Sequence, residues 1–277
     1  MKIGIYTNLN KDINALAAKS LIKVLDMKGV EYVFIKTKNE KIDIELHAKD
    51  LNEVSKELDL IIAFGGDGTM ISIVSLINDS NLPVLGVNLG KIGFLSEVDV
   101  NALEMAVDKL VNKEFFIEKR TLLELNINNK NYYALNEVIL GSAINEQISA
   151  VSINIDDSYA DTVRCDGVIV STPTGSTAYS LSCNGPILSP SVKALIINTI
   201  CPHTLRSLPM VISDDSKVVL SSKTPKMKLM IDGRTITVFG KECRIEIKKS
   251  SKNALFIRFN EENFYQKLLK KLSYWGD

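Results

Sequence analysis

LIIAFGGDGTMISI, residues 60–73, decides how the chain is read. Leu60 to Phe64 is a short apolar run of the kind that forms a buried strand, and Gly65-Gly66-Asp67-Gly68-Thr69 breaks it into a turn before a helix opens. Glycines in such a turn permit backbone conformations closed to other residues and let a ligand approach the main chain. A strand that turns into a helix this way leaves backbone N–H groups pointing outward, which suits an anion such as phosphate. Asp67 is the one carboxylate among those donors. An acid there makes sense if it holds a metal ion or takes a proton from an attacking hydroxyl. The turn matches neither G-x-G-x-x-G nor a glycine loop ending in Lys-Ser or Lys-Thr. From this stretch alone, an ordinary glycine turn with Asp67 as helix cap is an equal reading.

Outward from the turn, strand and helix alternate. Lys2 to Tyr6 predicts a strand, and Asp12 predicts the cap of a helix whose apolar stripe runs through Leu16, Leu21 and Leu25 to Gly29. Glu31 to Ile35 and Pro83 to Val87 read as strands, and Asp50 to Glu57 and Asn101 to Lys113 as helices. This alternation predicts a parallel sheet with helices on its faces, where ligands bind at the carboxyl ends of strands. Asp67 and the loop Asn88 to Phe94 both fall at such ends. Phe94 is placed either to lie against a ring or base or to plug the local core.

The texture changes near Phe116 to Arg120. From there to Arg258 the chain reads as short strands: Leu122 to Ile127 and Tyr132 to Leu140 around the turn Asn128 to Asn131, then Val151 to Ile155, Gly167 to Ser171, Ala194 to Ile200, Val218 to Ser221, Lys228 to Ile231, Arg244 to Ile247 and Ala254 to Phe259. So many strands predict an all-β second domain of two packed sheets. Glu261 to Leu272 reads as a closing amphipathic helix that packs back on the first domain. The expected division is residues 1–118 with 260–277, against 119–259.

Two segments are unusual for plain sheet. Asn136-Glu137 places an amide and an acid inside the apolar run YYALNEVILG, and could be the polar face of an alternating strand. RCDGVIVSTPTGSTAYSLS, residues 164–182, joins an apolar strand to a turn rich in hydroxyls. Ser171, Thr172, Thr174, Ser176 and Thr177, near Asp166 and Tyr179, suit ribose hydroxyls, amides and adenine, unless they merely cap their own loop.

Composition bounds the function. The chain has 277 residues, with 33 Lys and Arg balancing 33 Asp and Glu, so no broad basic face for nucleic acid is expected. No apolar run is long enough for a membrane span, the start MKIGIYTNLN reads as a strand, and the expected location is the cytoplasm. Four dispersed cysteines and two histidines argue against a zinc or disulfide framework.

At this point the residues resemble the NAD kinases, which phosphorylate the adenosine ribose 2′-hydroxyl of NAD to give NADP. The resemblance runs along nearly the whole chain: FGGDGTM from Phe64, NLGKIGFLSE from Asn88, NEV from Asn136, DGVIVSTPTGSTAYSLSCNGP from Asp166 and PHTL from Pro202. GGDGT alone is shared with lipid kinases and resembles the phosphofructokinase loop, whereas its combination with TPTGSTAYSLS is specific. The resemblance implies a Rossmann-like first domain and a β-sandwich second domain with the active site between them. It implies Asp67 as catalytic base with Gly68 beside it, Phe94 in a loop lining the NAD pocket, and Asn136 and Glu137 at the ribose and its phosphate region. Arg164, Asp166, Thr177, Ala178, Tyr179 and Ser182 would contact the dinucleotide, some from a neighbouring subunit of a dimer or tetramer. ATP as donor and a divalent metal, normally magnesium, are implied too, the metal's ligands being open. Asp232-Gly233-Arg234 departs from the family, since many relatives carry Gln where Arg234 stands, so no role is carried over there.

Two other readings compete. A lipid kinase with the same turn would need an apolar slot for acyl chains, and the second motif here is rich in hydroxyls. A non-catalytic NAD(P)-binding sensor would not need the acid at Asp67 and would usually carry a DNA-binding or partner module, of which the sequence shows none.

Overall fold

β1 (Lys2–Thr7), α1 (Leu16–Lys28), β2 (Glu31–Lys36), β3 (Lys49–Asp50), α2 (Leu51–Val54), β4 (Leu60–Gly65), α3 (Asp67–Ile77), β5 (Val84–Asn88), β6 (Val98–Asp99) and α4 (Leu103–Val111) follow one another in the first unit. The computed structural model describes residues 1–36, 48–77, 80–90, 93–144, 148–204, 207–260 and 264–273. Its chain divides into Met1–Lys119 with Ala254–Asp277, and Arg120–Asn253. Across the first unit's sheet the strands run β3-β2-β1-β4-β5, each neighbouring pair parallel. This is the Rossmann-like order expected. The strand order reverses between β1 and β4, so the loops that follow these two strands open at the switch point.

The sequence builds this layer directly. Every residue of β4 is buried, as a strand covered on both faces requires. Leu103, Ala106, Val107 and Leu110 of α4 fall on one helical face and join Leu21 and Leu25 of α1 in one core with Ile3, Ile62 and Leu85. Asp12 starts α1 from a distance. Its buried carboxylate accepts the N–H groups of Ala17 at 2.8 Å and Ala18 at 3.1 Å, across a 3-10 turn at Ile13–Ala15. Gly29, with φ +64°, closes the helix in the left-handed conformation.

The second unit is all β. It contains β7 (Phe116–Ile127, which begins in the first unit), β8 (Lys130–Ala134), β9 (Glu137–Ser142), β10 (Ser149–Ile155), β11 (Ser158–Cys165), β12 (Gly167–Ser171), the single-turn α5 (Tyr179–Ser182), β13 (Ala194–Ile200), β14 (Met210–Ser213), β15 (Val218–Ser222), β16 (Met227–Ile231), β17 (Arg234–Phe239) and β18 (Cys243–Arg258). One sheet has the order β14-β13-β12-β9-β16-β17. The other runs β11-β10-β15-β18, with β7 paired to β18 and β8 to β7. Val138, Val168, Leu195 and Leu229 of the first meet Leu123, Val151, Leu220 and Ile245 of the second in one core, so the unit is the expected sandwich. α6 (Phe264–Ser273) ends the described chain, and the expected helix start at Glu261 lies outside the described residues.

Several elements differ from expectation. Strands β11, β14 and β17 were not among those expected: β11 is polar and has no apolar run, whereas β14 and β17 are short edge strands left partly exposed. The strands expected at Arg244 to Ile247 and Ala254 to Phe259 are one long strand, Cys243–Arg258. The β7–β8 hairpin turns on Asn128-Asn129 alone, both with positive φ, as a two-residue turn demands. The predicted strand Tyr132 to Leu140 breaks at Leu135-Asn136, for a reason that belongs to the site. Among the described residues, no helix is long and apolar enough to cross a membrane.

Candidate active site

β4 runs through Gly65, and α3 begins at Asp67 itself, so only Gly66 separates strand from helix. Gly65 and Gly66 serve space and not special backbone angles, while a Cβ on Gly68 would meet nothing within 4 Å. None of Gly65, Gly66 and Gly68 has a φ in the left-handed range, but a Cβ on Gly65 would meet Thr69 Oγ1 at 2.2 Å, and one on Gly66 would meet Lys11 Nζ at 3.0 Å. Lys11 comes from the loop after β1. The switch point therefore gathers an acid, a lysine and the first turn of a helix.

Asp67 is held firmly. Its Oδ2 accepts the N–H of Phe94 and its Oδ1 that of Leu95, both at 3.1 Å. The loop passes so close that a Cβ on Gly93 would lie 2.2 Å from Oδ1. Behind it, the Arg258 guanidinium donates to Leu95 O at 3.1 Å, to Glu97 Oε2 at 3.2 Å and to Glu118 Oε2 at 2.7 Å, while Phe259 N–H reaches Glu97 Oε1 at 2.8 Å. From α6, Lys271 Nζ donates to Asp67 Oδ2 at 2.9 Å and lies 4.3 Å from the centre of the Phe94 ring. Phe94 also meets Phe264 of α6, ring centres 6.0 Å apart. Lys91 and Ile92 of this loop lie outside the described residues, as do Leu205 of the PHTL motif and His47.

The second group of residues lies in the sandwich unit. Asp232 and Gly233, φ +46° and +76°, form the two-residue turn between β16 and β17. The Asp232 carboxylate accepts the N–H groups of Leu135 and Asn136 at 2.8 Å and of Glu137 at 3.1 Å. This is why the predicted strand breaks: three successive N–H groups turn to one side chain and leave the ladder. Thr172 N–H donates to Asn136 O at 2.9 Å, and Gly175 packs so close that a Cβ there would meet Asn136 O at 2.2 Å.

Glu137 is buried, and its Oε2 has no hydrogen-bond partner among the described residues. Burial, with the Asp232 charge beside it, pushes its carboxyl up to about 8, against a hydrogen bond from the Tyr179 backbone that favours ionisation. Burial raises the Asp232 carboxyl too, and the three N–H groups oppose this. Asp232 is the better solvated anion of the two, so Glu137 is the one that keeps its proton. Buried oxygens without partners are rare in folded chains and mark a place where a ligand group completes the bonding.

The hydroxyl-rich turn corrects the sequence reading. Ser171, Thr172, Thr174 and Ser176 are buried. Thr172 Oγ1 donates to Leu135 O at 2.6 Å, Ser176 Oγ to Pro173 O at 2.7 Å and Ser171 Oγ to Thr172 O at 3.0 Å, while Thr174 Oγ1 accepts from Arg120 at 3.3 Å. These four shape the turn. Thr177 and Ala178, half-buried, and Tyr179 and Ser182, exposed, are the members that face outward. Arg164, in β11, and Asp166, just after it, are exposed and fixed by their backbones: Arg164 O accepts from His203 N–H at 2.8 Å and Asp166 N–H donates to Ile200 O at 2.9 Å.

A protein-held magnesium is not supported by the donor set. The described residues contain no group of three His, Cys, Asp or Glu side chains that could hold a metal ion. Asp67, the acid at the glycine turn, already spends three of its roughly four lone-pair sites on Phe94, Leu95 and Lys271.

Sequence reasoning missed Asp232, Lys271 and Arg258. Asp-Gly between the alternating runs KLMI and RTITVF is a strong hairpin signal and would have placed Asp232 in a turn. Nothing in the sequence ties Lys271 to Asp67.

Comparison with known proteins agrees with the geometry. Residues 3–115 match the family model of the ATP-NAD kinase N-terminal domain, and residues 135–259 that of the ATP-NAD kinase C-terminal domain. The NAD kinase of Caldanaerobacter subterraneus subsp. tengcongensis is 38% identical over 279 residues, covering 98% of this chain and 99% of that protein. That of Caldicellulosiruptor saccharolyticus is 35% identical over 272 residues, with 98% and 99% covered. The crystal structure of an NAD kinase from Archaeoglobus fulgidus in complex with ATP has a TM-score of 0.81 at 25% identity, covering 99% of each chain. Yeast NADH kinase complexed with NADH has a TM-score of 0.88 at 23% identity, covering 99% of this chain and 88% of that one, and speaks for the fold alone. The chain belongs to the NAD kinase family.

Proposed function

We propose that Asp67 is the base in a transfer of the terminal phosphoryl group of ATP to the adenosine ribose 2′-hydroxyl of NAD, giving NADP. The observation that supports this most is the hold on Asp67 at the switch point, where the Phe94 and Leu95 N–H groups fix both of its oxygens. A carboxylate offers about four lone-pair sites, and three are used here, so one is left for a hydroxyl proton. The secondary hydroxyl is a poor nucleophile, and a fixed acceptor for its proton lowers the barrier as the new bond to phosphorus forms.

Glu137 and Asn136 are the proposed ribose contacts, since the unpartnered Oε2 of Glu137 is a buried oxygen in want of one. Arg164, Asp166, Thr177, Ala178, Tyr179 and Ser182 are the proposed dinucleotide contacts, and Gly68 and Phe94 accompany Asp67. Magnesium, if used, would arrive with the donor's phosphates, which is how this cation often binds. The cytoplasm is the proposed location. The exposed edge strand β11, which carries Arg164, supports self-association as a dimer or tetramer. Light scattering at micromolar protein checks this, and an active monomer would sink it.

The central test supplies purified protein with NAD, ATP and magnesium and follows NADP with an NADP-specific dehydrogenase. Asp67→Asn should lower kcat by about 10²-fold or more while NAD affinity stays close to that of the parent. Near-normal turnover in this variant would refute the base. No NADP from the well-folded parent protein would favour the sensor reading.

A further inference from the structure

We propose that Lys271 is a further residue of the phosphoryl-transfer site, supplying to the donor's terminal phosphate the positive charge that the glycine turn lacks; this rests on the reading of Asp67 as the base. The P-loop carries a lysine at the end of its own glycine turn, whereas GGDGT is followed by Met-Ile-Ser with no cation before Lys91. The structure brings one from the far end of the chain. Lys271 Nζ stands 2.9 Å from Asp67 Oδ2, across 204 residues of sequence.

The pair is not needed to dock the helix. α6 is already fastened by the Phe264 ring against Phe94 and by Lys267 Nζ donating to Ser96 O at 3.2 Å. Lys271 and Asp67 are each about one quarter exposed, at 23% and 25%, so the ammonium is held at the site and can still be reached from solvent. What the contact does achieve is to hold an ammonium beside the proposed base, against the Phe94 ring, at the carboxyl end of β4. Lys11 approaches the same turn at Gly66. Two cations thus flank a helix start that carries one acid, an arrangement suited to a polyanion and in excess of what Asp67 requires.

The chemistry gives the lysine a specific part. As the 2′-oxygen bonds to the terminal phosphorus, the bond from that phosphorus to the bridging oxygen breaks and ADP leaves with the electron pair. The hydroxyl proton passes to Asp67, whose carboxylate becomes neutral. At that moment the ammonium loses its anionic partner. With ATP bound the ammonium lies between Asp67 and the terminal phosphate, so its charge then acts on the phosphoryl oxygens alone. The ligand class is the terminal phosphate of a nucleoside triphosphate or of an inorganic polyphosphate.

The test compares Lys271→Met, Lys271→Arg and Asp67→Asn with the parent for turnover, ATP, ADP and NAD affinity by calorimetry, and melting temperature. Lys271→Met should lower kcat by about 10²-fold, as loss of one preorganised charge donor does, and weaken ATP more than ADP while leaving NAD affinity unchanged. Lys271→Arg should recover most of the loss, and polyphosphate in place of ATP should show the same order of variants if it serves as donor. Full turnover in Lys271→Met beside a dead Asp67→Asn overturns the role of Lys271 and leaves the base intact. Full turnover in Asp67→Asn overturns the base reading instead. A lowered melting temperature with equal losses in both lysine variants and an unchanged preference for ATP over ADP makes Lys271 a docking residue and overturns the proposal.

Discussion

Asp232 Oδ1 accepts the backbone N–H of Asn136 at 2.8 Å, across a sequence separation of 96 residues. A hairpin turn on one strand pair thereby fixes the shape of a break in another. The Asn136-Glu137 segment owes its geometry to this carboxylate more than to the ladder it interrupts.

Removal of that carboxylate should therefore act on binding through shape. Asp232→Ala leaves three N–H groups without an acceptor, each worth about 1–3 kcal/mol if no water replaces it. We expect a loss of at least about 2 kcal/mol in urea unfolding and a KM for NAD that rises more than the KM for ATP. Asp232→Asn, which keeps one acceptor oxygen, should fall between. Equal effects on both substrates would show that Asp232 serves only the fold.

Glu137 makes a prediction in pH. Its carboxyl is raised from 4.5 to about 8, so between these values the folded chain keeps a proton that the unfolded chain has released. Stability must then fall as pH rises through this window and level off above it. Glu137→Gln has no such proton. Melting temperatures from about pH 5 to 9 should shift steadily in favour of the Gln variant relative to the parent. A constant difference would mean that Glu137 is ionised throughout.

Arg258 should be costly to remove. Its side chain and that of Glu97 are 6% and 4% exposed, and the pair backs the loop that grips Asp67. Arg258→Met leaves a buried carboxylate with one backbone partner, and loss of one member of such a pair typically costs about 3–5 kcal/mol. Unfolding in urea measures this, and Glu97→Gln combined with Arg258→Met should recover part of it. A change below about 1 kcal/mol would show that water reaches the site.

The layers of the first unit were legible because its strands and helices carry local signals, such as the apolar run at Leu60 and the left-handed Gly29. Asp67 was legible for the same reason, being marked by its neighbours in sequence. Its partners were not. Lys271 and Arg258 meet the Asp67 loop only through tertiary packing, which leaves no periodic trace. Misreading of the hydroxyl turn has a different cause: Thr172 and Ser176 look the same in sequence whether they face a ribose or, as here, a backbone carbonyl. Strand β11 was missed because an edge strand wet on one side loses the apolar pattern, whereas β17 keeps an alternating one that the Asp-Gly turn should have revealed.

Gly93 offers a test of the Asp67 cradle that leaves Asp67 itself in place. A methyl group there would lie 2.2 Å from Oδ1 and 2.9 Å from Cγ, so the carboxylate must turn or the loop must lift. Either movement breaks the N–H contacts from Phe94 and Leu95, which hold the carboxylate at 3.1 Å. The base would be present but misplaced, and small misplacements of a catalytic group cost about 10²-fold in rate. Gly93→Ala should thus lower kcat to nearly the level of Asp67→Asn, with NAD affinity changed little. Loss of turnover in the double variant should equal that of Asp67→Asn alone, because both changes remove one function. Additive losses would mean that Gly93 acts elsewhere, and a fully active Gly93→Ala would mean that the cradle does not position the base.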